Sequence, residues 1–138
     1  MKIAGKKLNL GCGNKKIPGY INIDSRIESN PDIILDITKI HEYYCESTVI
    51  YACHVLEHFH SKDIFYVLSS WREALETNGL IRISVPNFSS IFEYYNLTKD
   101  ISKLQTLLYG GQKNSLDYHY VGFDFVFLKT QLKYAGFE

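Results

Sequence analysis

Apolar positions along this chain follow two different periods, and the two periods alternate. Short runs rich in isoleucine, leucine and valine, some alternating with polar residues, predict β-strands because successive strand side chains point to opposite faces. Glycine, proline or polar residues, which are typical of turns, bound these runs. Five predicted strands result: residues 6–10, 20–24, 32–37, 47–55 and 79–87.

Helical spacing separates or follows the later strands. Apolar residues three or four positions apart predict a helix over 61–77, with Ser61 as its N-cap and Gly79 beyond its end. The same spacing predicts helical structure over 89–111 and a last helix over 124–136. Strands interleaved with helices favour an α/β fold, with a mostly parallel sheet of about five strands flanked by helices.

The bulk composition is that of one ordinary globular domain. The 138 residues are 46% hydrophobic and 22% charged, so we expect a single domain over 1–138. Basic and acidic residues number 15 each, and without a basic cluster we expect no nucleic-acid partner. No apolar segment suits a signal peptide or a membrane span, and the three cysteines lack C-x-x-C spacing. We therefore expect a reduced, cytoplasmic protein with no membrane partner.

A glycine turn, "LNLGCG", closes the first predicted strand, and "NID" ends the second. Gly11 and Gly13 let the backbone approach a ligand closely, and Asp24 can accept two hydrogen bonds from a ribose diol. A dinucleotide fingerprint would need glycine where Lys16 stands, and the connection is too short for a helix that holds a pyrophosphate. A nucleoside ligand without phosphates, such as S-adenosylmethionine, needs neither the third glycine nor the helix. The same glycines also suit an ordinary turn.

Five ordered segments extend this pattern over almost the whole chain. They are "LNLGCGNKKIPGYINID", "DIILDI", "IYACHVLEHF", "REALETNGLIRISVPN" and "LKYAGFE". Together they resemble the class I S-adenosylmethionine-dependent methyltransferases, above all a small bacterial branch with "G-C-G…P-G-[YW]-x-N-[IV]-D" in place of a full first helix. The resemblance implies a Rossmann-like methyltransferase fold, with S-adenosylmethionine as cofactor and S-adenosylhomocysteine as product.

The resemblance also implies which residues contact the methionine and ribose parts of the cofactor. Asn9 stands where many members have Asp near the methionine end, so one charge is removed there. Gly11, Cys12 and Gly13 would contribute backbone groups, and Asp24 would accept from the ribose hydroxyls. Taken alone, Cys12 is as well explained as a small packing residue.

The resemblance also implies which residues contact the adenine and the reactive side of the cofactor. Asp36 would receive the adenine amino group, and Ile37 would pack on the ring; taken alone, Asp36 also suits a helix cap. His54 and Val55 would follow the fourth strand at the reactive side of the cofactor.

The stretch "IYACHVLEHFH" permits a second interpretation. His54, Glu57 and His58 spell H-x-x-E-H, the pattern of an inverted zinc-protease helix, with His60 and Asp63 nearby as further ligands. That site needs His54 and His58 one turn apart on a helix, whereas His54 directly follows a predicted strand. We therefore predict a loop at the rim of a cofactor pocket with no metal ion, and zinc hydrolysis stays a remote alternative.

The absence of several motifs reduces the classes of methyl acceptor that the resemblance leaves open. The sequence lacks three motifs of other methyltransferases. They are the N/D-P-P-Y/F run of amino-directed nucleic-acid enzymes, the Pro-Cys nucleophile of base C5 methylation, and the double-Glu loop of arginine methyltransferases. A small-molecule acceptor remains, and analogy with compact relatives favours a sugar or glycan hydroxyl. An alcohol acceptor needs a base, for which His58 and His119 are the candidates. Residues 89–123 would form a helical insertion that caps the pocket, and His119 could instead merely pack under it.

The family's members resemble one another in a seven-stranded sheet that ends in an antiparallel strand pair after the "AGFE" segment. We expect that pair to be missing, because the sequence stops at Glu138. Three explanations stay open: a chain that continues further, a homodimer through the exposed edge of the fifth strand, or a degenerate domain. In the last case, the protein would be a catalytically inactive module that binds S-adenosylmethionine or S-adenosylhomocysteine.

Overall fold

The computed structural model describes residues 2–138, which form a five-stranded sheet with helices packed against it. The strands are β1 Lys7–Leu10, β2 Ile21–Asp24, β3 Ile33–Ile34, β4 Ser47–Cys53 and β5 Leu75–Ser84. Their order across the sheet is β3-β2-β1-β4-β5, and every one of these pairings is parallel. The predicted α/β fold, with a parallel sheet of five strands flanked by helices, is confirmed.

The helices of residues 2–138 are short. They are α1 Ile40–Tyr43, α2 Ile64–Ala74, α3 Phe88–Thr98, α4 Gln105–Tyr109 and α5 Phe125–Tyr134. A 3₁₀ turn leads directly into α1, α2 and α4. Within the part of the chain that the structure describes, no helix has the length and apolar character needed to cross a membrane.

Two predicted strands have bounds that differ in the structure. The strand predicted over 32–37 shrinks to β3, because Asp36 caps a 3₁₀ turn and the chain leaves the sheet before it. The strand predicted over 79–87 begins earlier, since Leu75 already pairs with Ser47. The register then shifts before Val49 pairs with Leu80, an irregularity that no local pattern indicated.

The predicted helices also differ in detail. The segment 89–111 is divided, because Lys99 adopts a left-handed backbone conformation that ends α3 before α4 begins. The first full helix covers less than the predicted 61–77, since a 3₁₀ turn precedes it and Leu75 already belongs to β5. Helix α1 was not predicted, and a single turn of helix leaves little periodic signal in a sequence.

The buried core joins the sheet to α2. Its fully buried members from these elements are Leu8, Leu10, Ile23, Ile50, Ile64, Leu68, Trp71 and Ala74. The indole Nε1 of Trp71 donates a hydrogen bond of 3.0 Å to the carbonyl oxygen of Ile37. Helix α2 therefore fixes the loop that follows β3, where two of the predicted cofactor contacts lie.

A polar network replaces a helix in the short connection between β1 and β2. The Asn9 amide donates to Asn22 Oδ1 at 2.8 Å and to the Lys15 carbonyl at 3.0 Å. Asn22 Oδ1 also accepts from the Ile17 N–H, and the Asn22 side-chain amide donates to Asp32 Oδ2 at 2.7 Å. Donors from Asn22, backbone and side chain, followed by Lys16, hold the pKa of Asp32 at about 2. These bonds fix the path of the glycine turn.

Strand β5 lies at one end of the sheet order, as the sequence predicted for the fifth strand. Leu80 on this strand is 46% exposed, and a cavity of about 570 Å³ separates β5 from α5. We propose that two copies of the chain pair along β5, because this pairing would cover the apolar edge.

Light scattering tests this homodimer. We expect a mass of twice 16.0 kDa for the wild-type protein and a monomer for Leu80→Lys. The matched control is Ile34→Lys on the opposite edge strand β3, which should stay dimeric. A monomeric wild-type protein would contradict the proposal.

Candidate active site

The carboxyl ends of β1, β2 and β4 surround one cavity of about 520 Å³. Its lining includes Gly11, Asp24, Ser25, Arg26, Asp36, Ile37, His54, Val55, His58, Phe59, Leu116 and Asp117. The sheet order reverses between β1 and β4, and ligands of open parallel sheets bind at such a reversal point. The volume lies in the range of small-molecule sites. Seven of the predicted site residues therefore share one cavity: Gly11, Asp24, Asp36, Ile37, His54, Val55 and His58.

Asp24 ends β2 with a carboxylate fixed from several directions. The Gly13 N–H donates to Oδ2 at 2.8 Å, and the Arg26 N–H donates to Oδ1 at 2.9 Å. The Arg26 guanidinium adds longer bonds of 3.2 and 3.4 Å. Burial alone would raise the pKa of Asp24, but the hydrogen bonds from Arg26 and Gly13 outweigh it and hold the pKa below its usual value. The side chain is therefore ionised at neutral pH and oriented for a ligand.

Gly11 has a left-handed backbone conformation beside Val55. Its φ is +62°, and a Cβ there would lie 2.7 Å from Val55 Cγ2. A side chain at this position would be strained and would displace Val55, which itself lines the cavity. The glycine that the sequence analysis singled out thus keeps this wall of the cavity open.

Asp36 and Ile37 lie together at another part of the cavity wall. Asp36 Oδ1 accepts from the Thr38 N–H at 2.9 Å and from its hydroxyl at 2.7 Å, so Asp36 is a 3₁₀-helix cap. The geometry is compatible with both interpretations of Asp36, as a helix cap and as an adenine contact, because the same residue caps the turn and lines the cavity. Ile37 is buried beside it, supplying an apolar surface of the kind on which a flat ring can pack.

Three predicted cofactor contacts are outside the cavity lining. Asn9 is buried, and its amide is engaged with Lys15 and Asn22. Cys12 is also buried, and this burial, reinforced by the negative charge of Asp24, raises the pKa of its thiol. Gly13 acts through its N–H bond to Asp24. The structure thus gives these residues a part in supporting the glycine turn, and direct contact with a cofactor stays a prediction.

His54 has an unusual backbone conformation directly after β4. Its φ is +55°, its N–H donates to the Ser84 carbonyl, and its imidazole Nδ1 lies 3.0 Å from Glu57 Oε1. Helical backbone covers only Leu56–His58, so His54 and His58 are not one turn apart on a helix. The zinc-protease geometry that the H-x-x-E-H pattern suggested is therefore not formed.

His58 and His119 meet, although 61 positions separate them in the sequence. Their ring centroids are 4.9 Å apart, with the planes at 75°. His58 Nδ1 lies 3.0 Å from the Tyr118 carbonyl, and His119 Nδ1 lies 3.0 Å from the Leu107 carbonyl. Burial lowers the pKa of His58, although the charge of Glu57 opposes this shift. His58 lines the cavity, and its contact with His119 joins the two candidate bases in one unit.

The segment after α4 reaches across to the loop that follows β4. The Tyr120 N–H donates to the Glu57 carbonyl at 2.8 Å, and the Tyr120 ring packs on His60 at a centroid distance of 4.3 Å. Leu116 and Asp117 of this segment line the cavity. The role of residues 89–123 as a cap stays a prediction.

The sequence pattern did not indicate several residues of the cavity wall. Arg26 is the most consequential, because its guanidinium covers the carboxylate that was expected to receive a ribose. Its position two residues after the strand-ending aspartate was the available signal. Leu116 and Asp117 gave none, since they lie in an irregular loop far from β2 and β4 in the sequence.

The cavity residues fit S-adenosylmethionine. Two strong backbone bonds orient Asp24, whereas the Arg26 side-chain bonds are long and can be exchanged for ribose hydroxyls. Asp36 keeps Oδ2 for an amino group, since both hydrogen bonds described for it use Oδ1. Ile37 and Val55 supply apolar surface between the polar groups.

Two solved structures are similar to this chain. An S-adenosylmethionine-dependent methyltransferase from Archaeoglobus fulgidus superposes with a TM-score of 0.68 at 19% identity, covering 99% of this chain and 62% of that one. A candidate O-methyltransferase from Nostoc punctiforme superposes with a TM-score of 0.62 at 14% identity, covering 99% of this chain and 46% of that one. No protein-family model and no curated protein sequence matches the chain.

These comparisons define the class of fold. The chain has the Rossmann-like fold of S-adenosylmethionine-dependent methyltransferases, as the sequence resemblance implied. It spans less than two thirds of the length of either similar structure. The particular bacterial branch and the cytoplasmic location stay predictions.

Proposed function

We propose that this protein binds S-adenosylmethionine and transfers its methyl group to a hydroxyl of a small molecule. One observation carries the proposal: the ionised, backbone-fixed carboxylate of Asp24 shares a cavity with Asp36 and Ile37 at the reversal point of the sheet. A ribose acceptor, an amino-group acceptor and an apolar surface there suit an adenosine. Similarity of fold to methyltransferases adds support.

Four residues of the cavity lining have a defined part in binding the cofactor. Asp24 accepts the two ribose hydroxyls in place of the Arg26 side chain, and Asp36 Oδ2 accepts from the adenine amino group. Ile37 packs on the adenine, and Gly11 leaves room between Val55 and the turn. When bound, S-adenosylmethionine supplies a methyl group carried by a positively charged sulfur.

The histidine pair provides a base for a hydroxyl acceptor. In each ring Nδ1 faces a carbonyl oxygen, which can only accept, so Nδ1 carries the proton and Nε2 has the lone pair. His58 reaches the cavity and removes the hydroxyl proton, while the adjacent His119 fixes its orientation. The loop with Leu116 and Asp117 limits water at the same place.

The acceptor class rests on analogy and on the missing motifs. A sugar or glycan hydroxyl is our preferred acceptor, because a polar hydroxyl needs the base that the histidine pair offers. The alternative is a module that binds cofactor without turnover, and the same cavity residues would serve it equally well. Only a turnover assay separates the two.

Titration of the purified, metal-free protein with S-adenosylhomocysteine tests the proposal first. We expect one site per chain with a dissociation constant in about the micromolar range, which corresponds to about 8 kcal/mol. Transfer of labelled methyl to a panel of sugars and other small alcohols then distinguishes an enzyme from a binding module. Folded protein that does not bind S-adenosylhomocysteine would refute both.

A further inference from the structure

Glu57, His58 and His119 form a cluster that cofactor binding does not use. Each offers one ligating atom, a carboxylate oxygen or an imidazole nitrogen, and these three atoms lie within 4.8 Å of one another. Two segments distant in sequence build the cluster, and the Tyr120 N–H bond to the Glu57 carbonyl holds them together. Binding of one ion would draw these three atoms closer together.

The orientation of both histidine rings suits a metal ion. The Tyr118 and Leu107 carbonyls each fix one Nδ1 at 3.0 Å, which leaves Nε2 of both rings as the electron-pair donor. Metal-ligating histidines commonly give their second nitrogen to a backbone carbonyl in this way, because the bond fixes the tautomer and the ring orientation.

Glu57 supplies an independent observation. Its side chain is 1% exposed, and only Oε1 has a partner, His54 Nδ1 at 3.0 Å. Oε2 is buried without any hydrogen-bond partner among the residues described. A buried carboxylate oxygen without a partner costs free energy, so a hydrogen-bond donor or a cation at this atom would stabilise the protein.

We propose that Glu57, His58 and His119 bind one divalent transition-metal ion, with zinc as the ion that fits best. Two imidazoles and one carboxylate are a ligand set of catalytic zinc sites, in which the fourth position stays open for water or substrate. The set differs from the H-x-x-E-H site, because His119 takes the place of His54. It also departs from the sequence-based expectation that no metal binds.

Metal binding would replace the base role proposed above for the histidine pair, because an Nε2 bound to a metal ion cannot also accept a proton. Because His58 also lines the cofactor cavity, a hydroxyl bound at the open position would lie near it and lose its proton to solvent more readily. This consequence rests on the proposed methyl transfer. Metal binding itself does not, and it is measured without any cofactor.

Zinc chloride titrated into the metal-free full chain, in competition with a chromophoric chelator, tests the site. We expect one zinc ion per chain and an affinity that falls at least about 10-fold in His119→Ala. Glu57→Gln should weaken binding similarly; if that buried variant does not fold, His119→Ala, at a half-exposed position, still decides. Cobalt in place of zinc should give the visible absorption of a tetrahedral ion in the wild type and not in His119→Ala.

Two histidines outside the cluster are matched controls. His60→Ala changes an exposed neighbour, and His41→Ala changes a histidine whose Nδ1 pairs with Ser70 Oγ on α2. Both variants should bind zinc as the wild type does. Unchanged affinity in His119→Ala, or equal losses in His60→Ala, would overturn the proposal, whatever S-adenosylhomocysteine does in the separate titration.

Discussion

Replacing Asp24 by alanine is expected to abolish S-adenosylhomocysteine binding in the range where the wild-type protein saturates. Hydrogen bonds to a charged group contribute about 1.5–3 kcal/mol each, and the ribose diol would make two with this carboxylate. Their loss corresponds to at least about a 100-fold weaker dissociation constant. Calorimetric titration measures it, with circular dichroism to show that the variant is folded.

Two further variants separate the binding role of Asp24 from its structural role. Arg26→Ala removes the guanidinium bonds to Asp24 but keeps the two backbone bonds, so S-adenosylhomocysteine should still bind. Asp100→Ala removes another acid whose pKa is lowered, one that accepts from the Ser102 N–H outside the cavity, and it should leave binding unchanged. Equal losses in Arg26→Ala and Asp24→Ala would show that Asp24 merely anchors Arg26.

Replacing Trp71 by alanine should lower the free energy of unfolding by about 3–5 kcal/mol. The side chain is fully buried between α2 and the sheet, and its deletion leaves a large void together with an unpaired Ile37 carbonyl. That loss is a large part of the stability of a domain of this size. Urea unfolding followed by circular dichroism measures it, because the chain has one tryptophan and its fluorescence disappears in the variant.

Trp71→Phe separates the hydrogen bond from the volume. It keeps most of the apolar contact but removes the Nε1 donor, so we expect a loss of about 1–3 kcal/mol and weaker S-adenosylhomocysteine binding through a looser Ile37. Tyr66→Ala on the same helix is the control, because Tyr66 is 70% exposed and should change stability by less than about 0.5 kcal/mol. If Trp71→Ala were equally mild, the core described for α2 would be wrong.

Asp24 and Trp71 both support the wall of the cavity at which adenosine would bind. Asp24 offers charge that the glycine turn holds in place, and Trp71 fixes the backbone of the residue on which an adenine would pack. In this protein a network of Asn9, Asn22 and Asp32 does the work that a crossover helix does in dinucleotide-binding folds. The site therefore depends on hydrogen bonds between neighbouring strands and loops.

Sequence alone determined the five strands, their alternation with helices, and the residues at which β1 and β2 end. These features are encoded locally, since apolar periodicity and glycine turns act over a few residues. Because parallel strands bring their carboxyl ends to one edge, Gly11 and Asp24 could be assigned to one site before any coordinates, and the family resemblance added Val55.

Tertiary structure alone decided the rest. The shortened β3, the Arg26 guanidinium over Asp24, and the contact of His58 with His119 depend on groups packed together from separate segments. Local patterns carry no record of such contacts, because the free energy of each one depends on the whole fold around it. The sequence therefore identified both histidines as candidates, whereas only the folded chain placed them beside the buried carboxylate of Glu57.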